Sequence, residues 1–155
     1  MDVVLLALYL CHVFALISWL GAMYFNLVLI FPGYRRASSN IDEEKRLYQV
    51  QGTRAGYWLY AFIAITALSG VLLVVYQYGA AALATPIYLV KLGLLVLMLA
   101  CHLVGSWIIW PKIMFALGQE ARAPLNAYKL SMLVSATAGS FLIALSYYWT
   151  LQSGH

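Results

Sequence analysis

Four apolar stretches, each long enough to cross a lipid bilayer, constrain this chain more than any other feature. They run over residues about 3 to 31, 55 to 77, 86 to 110 and 127 to 150, and a hydrocarbon core of ~30 Å needs roughly 20 such residues per helix. In a chain of 155 residues that leaves little outside the membrane. The expected fold is therefore all-α: one transmembrane domain over residues 1–155, an up-down four-helix bundle with short loops. Hydrophobic residues make up 65% of the chain and charged ones 9%, far from the balance of a soluble protein. The first stretch opens on Asp2 without Lys or Arg and is too long for a signal peptide, so it is expected as a retained helix.

The net charge of +4 is explained by placement. Arg35, Arg36, Lys45, Arg46 and Arg54 lie in or beside the first loop, and Lys112, Arg122 and Lys129 flank the third. The positive-inside rule then puts both basic loops in the cytoplasm, with the second loop and both termini outside. The expected location is the bacterial inner membrane, crossed several times, with the lipid bilayer as partner and no nucleic acid. Cys11 and Cys101 both fall inside spans and give no disulfide framework.

Local signals punctuate the spans. Pro32 and Gly33 are expected to stop the first helix. Asn40 and Glu43 form a capping-box pattern for a surface helix over about 41–52, whose charges read as a solvated face. Thr85 and Pro86 mark the start of the third helix, and Asn126 is placed to cap the fourth. That helix carries Ser131, Ser135 and Gly139 on one face and Ala136, Ser140 and Ala144 on another, small residues that let membrane helices approach closely. Thr66 with Gly70, and Ser18 with Ala22, make the same point. Such stripes also suit a homo-oligomer, or an accessory subunit without a cofactor.

Three intramembrane residues carry an expense that packing does not explain: His12, Lys91 and His102. A lysine at a helix centre costs on the order of 2.5–3.5 kcal/mol. Lys91 and His102 are eleven residues apart, three turns plus about 20°, so they share one face with Met98 and Gly105, roughly 16 Å apart along the axis. Lys91 either snorkels to the outer headgroups or neutralises an anionic group such as a cofactor carboxylate. Trp19, two turns beyond His12, either packs or stacks on a flat ligand. Histidines of bundle helices suit haem iron, and His12 and His102 are the candidate metal ligands. Copper is the competing cargo, with Cys11, Cys101, Met23 and Met98 nearby in sequence. Cys11 and Cys101 adjoin their histidines and should point ~100° away from them. Counted at ~1.5 Å per residue, His12 and His102 lie ~10 Å apart in depth. An arrangement with His12 on iron, Lys91 on a haem propionate and His102 in a second role avoids that offset.

"HVFALISWLG" from His12 resembles helix 1 of two related membrane families, the HemJ-type protoporphyrinogen oxidases and the copper-resistance CopD-like proteins. "KLGLLVLMLACH", Lys91 to His102, resembles the third helix of the HemJ-type family, while "WLG" and "TPIYLVK" look more like CopD. In the HemJ-type pattern the first helix continues with a Tyr, Pro, Arg cluster, whereas here Phe25, Asn26 and Leu27 follow Tyr24. The resemblance implies a four-helix protein that binds haem b and oxidises protoporphyrinogen, passing electrons to a membrane acceptor such as quinone. Carried over by position, His12 becomes a haem ligand, Lys91 and His102 become catalytic site residues, and Trp19 lies against the cofactor.

Overall fold

The structure, a computed structural model, describes residues 2–152, with side chains placed for all but 53–55 and 150–152. His155, expected as a solvated tail residue, lies outside the described residues. Four helical stretches are long and apolar enough to cross a membrane: Val3–Ala37, Gly56–Tyr78, Pro86–Phe115 and Gly118–Trp149. No strand occurs among the described residues. Large apolar side chains such as Phe14, Leu68 and Phe141 stay 60–68% exposed, which is the surface lipid would cover.

The first stretch comprises α1 (Val3–Phe25), a π-helical segment Asn26–Ile30 and α2 (Phe31–Ala37). Pro32 does not end the helix as expected, and the π segment explains why. A proline inside a helix withholds the amide and crowds the carbonyl four residues back, here that of Val28. Within the widened segment the Phe31 amide reaches five residues back to the Asn26 carbonyl, which relieves the crowding. The third stretch repeats the device: α4 (Pro86–Leu103), a π segment Val104–Ile109 and α5 (Trp110–Phe115). There the Trp110 amide reaches the Gly105 carbonyl, one residue before Pro111.

The surface helix and the second span fuse into one 38-residue helix, α3 (Ile41–Tyr78). Asn40 caps it, its side chain accepting from the Glu43 amide at 3.0 Å, while Glu43 reaches back to the amide and hydroxyl of Ser39. Its charge run is solvated on one face only. Ile41, Glu44 and Tyr48 are buried, with Glu44 Oε1 accepting from Tyr48 Oη at 3.0 Å and paired with Lys129 Nζ at 3.3 Å. Lys45 and Asp42 bind the backbone of Ala116 and Gly118, so this end of α3 is fastened to the other basic loop. The last helix, α6 (Arg122–Gln152), starts four residues before Asn126. Pro124 falls in its first turn, where amides have no partner to lose.

α1 pairs chiefly with α3, and α4 with α6, so the bundle is two antiparallel hairpins joined through α1 and α6. One small-residue stripe of α6 faces α4 and α1 together, and the other faces α1. Ser135 is buried and donates to the Met98 carbonyl on α4, and a Cβ on Gly139 would come within 2.9 Å of Met98 and Leu20. On the other face Ser140 and Tyr24 of α1 are hydrogen bonded at 2.6 Å. Trp19, Leu20, Met23, Ile63, Met98, Ala136 and Ala138 form the central core.

Candidate functional site

His12 ends the inward stripe of α1 that continues through Ala15, Leu16, Trp19, Leu20 and Met23. Its ring rests on α3. Nδ1 lies 3.0 Å from the Thr66 carbonyl and 3.1 Å from Ser69 Oγ. A carbonyl only accepts, so Nδ1 carries the hydrogen; Ser69 in turn donates to the Ile65 carbonyl at 2.5 Å and offers His12 a lone pair. The neutral imidazole is thereby fixed in the tautomer whose Nε2 is an acceptor, and no hydrogen bond reaches Nε2 among the described residues. Gly70 makes the seat possible, because a Cβ there would lie 2.9 Å from the ring. The small-residue face of Thr66 and Gly70, which the sequence offered as packing, is the seat of the imidazole.

The Lys91 side chain belongs to α4. Its ammonium sits over the Tyr88 ring, 5.1 Å from the centroid, and no carboxylate pairs with it among the described residues. Part of the side chain is covered and part exposed. The inward face of α4 passes from Lys91 through fully buried Met98 to His102 and Gly105, as the eleven-residue spacing implies.

His102 is held at a different level. Its ring meets Tyr60 edge-on, centroids 5.0 Å apart, and Tyr60 Oη accepts from Trp107 Nε1 at 2.8 Å. On α3, Tyr60 lies ten residues before Gly70, roughly 15 Å along the axis. The two imidazoles are therefore not brought onto a common centre. His102 instead lines a small cavity of about 30 Å³ with Trp19, Asn26, Cys101, Ser131, Ser135 and others. Cys101 and His102, expected to diverge, both reach it, because the cavity extends around the flank of α4; Met23 and Met132 also line it.

Two residues that line this cavity each carry a buried polar atom with no hydrogen-bond partner among the described residues, Trp19 Nε1 and His102 Nε2. Trp19, completely buried, therefore faces this space as well as the core. Asn26 lines the cavity too; its amide donates to the Ala22 carbonyl and its Oδ1 accepts from Gln51 Nε2, both at 2.7 Å. Asn26, Gln51, Ser69 and Tyr60 were not among the sequence candidates, since only their partners make them informative.

The donor chemistry of His12 suits a metal ligand, haem iron included: an imidazole with its Nδ1 hydrogen on a carbonyl and no hydrogen bond at Nε2 among the described residues is the usual state of a metal-bound histidine. The cavity at His102 is too small for a macrocycle, as sites for ligands of that size start at about 300 Å³. A flat group has access only from the partly exposed side of His12. Among the described residues no group of three or more His, Cys, Asp or Glu side chains is disposed to hold a metal ion. Compared with known proteins, the chain matches no family, no curated protein and no solved structure.

Proposed function

We propose that this chain is a haem b-binding redox protein of HemJ-like type in the bacterial inner membrane, with its basic loops in the cytoplasm. The observation that carries the reading is the seat of His12, which holds Nδ1 on a carbonyl and leaves Nε2 without a hydrogen bond among the described residues. In this reading His12 ligates the iron, and Lys91 neutralises a propionate near the outer surface. Bound haem would supply one-electron transfer, with quinone as the membrane acceptor and a porphyrinogen as substrate. The chain's own part is to fix the imidazole tautomer through Thr66 and Ser69 and to hold one cation in reach.

The test is an oxidised and dithionite-reduced absorption spectrum of protein purified from haem-sufficient cells, with haem and metals quantified on the same sample. A sharp reduced α band near one haem per chain, lost in His12→Ala, is the expected outcome. An unchanged spectrum in that variant removes His12 from the iron. Copper handling of CopD type is the second reading, favoured by the thioethers of Met23 and Met132 beside Cys101 and His102. Near-stoichiometric copper without haem would establish it.

A further inference from the structure

A buried polar atom without a partner forfeits the hydrogen bonds it makes in water, and two such atoms on residues that line one cavity call for an occupant. Trp19 Nε1–H is a donor only, so whatever lies against it must accept a hydrogen bond. That requirement excludes a metal cation at this atom. No Lys, Arg, Asp or Glu lines the cavity, so an anion would be unneutralised there, and a cation would be neutralised only if Cys101 gave up its proton. The hydroxyls of Ser131 and Ser135 already donate to the Tyr128 and Met98 carbonyls, at 3.1 and 3.4 Å, but their oxygens can still accept. A neutral occupant that accepts from the indole and can bond an imidazole nitrogen in either tautomer meets these demands, and about 30 Å³ of open space is enough for one or two waters.

We propose that the space between Trp19 and His102 is a built water site, in which one or two waters accept from the Trp19 indole and bond His102 Nε2. In this proposal water would enter from the end that carries the basic loops, past Asn26. That side chain both lines the cavity and bonds Gln51, which lies before the apolar part of α3 begins. His102 thus belongs to a hydrated inlet rather than to the centre at His12. The site is independent of what His12 binds, since it uses other atoms at another level of the bundle.

The experiment is nuclear magnetic resonance on the full chain in nanodiscs, with ¹⁵N in the tryptophan indoles and histidine rings. The wild type is expected to show a nuclear Overhauser effect between the Trp19 indole proton and water, and Trp19→Phe to move the His102 ring-nitrogen resonances while leaving those of His12 in place. Absence of the water signal in the wild type overturns the proposal without requiring any variant to fold. Copper held near one per chain and lost in His102→Ala overturns it in the other direction. Neither result depends on the haem spectrum, so the two readings fail separately.

Discussion

At the scale of single residues, the most informative position is a glycine. Gly70 has no special backbone angle; its role is to leave room for the His12 ring. Gly70→Ala forces the ring off the Thr66 carbonyl. We expect this variant to lose about 1–3 kcal/mol, the range of an overpacked contact, and to displace the His12 ring-nitrogen resonances. Gly21→Ala and Gly93→Ala, where a Cβ meets open space in a helix interior, should be neutral or gain up to ~1 kcal/mol, because alanine is the better helix former. Denaturation in mixed micelles checks the energies, and an equal gain in all three variants would show that the His12 ring does not need the space at Gly70. His12, Lys91 and His102 were legible in the sequence because ionisable groups are expensive in a bilayer. Their partners were not, because a threonine carbonyl or a serine hydroxyl becomes a ligand's support only once another helix is laid against it.

At the scale of elements, the four spans were legible from apolar length alone and so was the start at Thr85 and Pro86, whereas some other ends were not. Pro32 is read as a stop because the sequence does not reveal the wider turn that absorbs it. Asn126 reads as a cap because the turn Gly118–Ala121 that launches α6 has no periodic signature. The start of α3 was legible, and its chemistry gives a pH dependence. Hydrogen bonds from the Ser39 amide and hydroxyl hold the Glu43 carboxyl below its ordinary value of 4.5, with nearby Arg46 helping. A depressed folded value means the cap is at full strength above 4.5 and weakens as pH falls through the lower folded value. Hydrogen exchange of the Glu43 and Glu44 amides should therefore lose protection on acidification. Glu43→Ala should begin with lower protection and lack the added acid loss, and parallel pH curves for the two proteins would contradict the assignment. Tyr48, at the same end of α3, has its phenol pushed well up, first by burial and then by its bond to Glu44, so it stays a neutral donor throughout that range.

For the whole molecule, the hairpins α1 with α3 and α4 with α6 place both basic loops at one end and join them through Lys45, Asp42 and the Glu44 to Lys129 ion pair. The expected orientation can be tested with single cysteines introduced after replacing Cys11 and Cys101 by Ala. A membrane-impermeant thiol reagent should label Ala81→Cys, at an exposed position of the second loop, in intact spheroplasts but reach Ser39→Cys only after lysis; the opposite pattern reverses the assigned orientation. The bundle and its two-ended charge were readable from composition and loop placement. That the imidazoles sit at different levels was readable from helix rise, but which neighbour receives each ring was not, since rise gives depth along a span and nothing about the helix laid against it.

The paired π segments carry one last implication. Each takes up a surplus residue within a widened turn, so deleting one position within Asn26–Ile30 would restore an ordinary turn and leave the bearing of everything beyond it nearly unchanged, whereas the same deletion in the plain part of α1 would swing it by about 100°. His12 before that point, and Phe31, Arg35 and Arg36 beyond it, would keep their facings, while Pro32 would again crowd the carbonyl four residues back. The widened turn therefore acts as slack, the one stretch of the first span where a residue can be lost without turning its basic end away from the bundle.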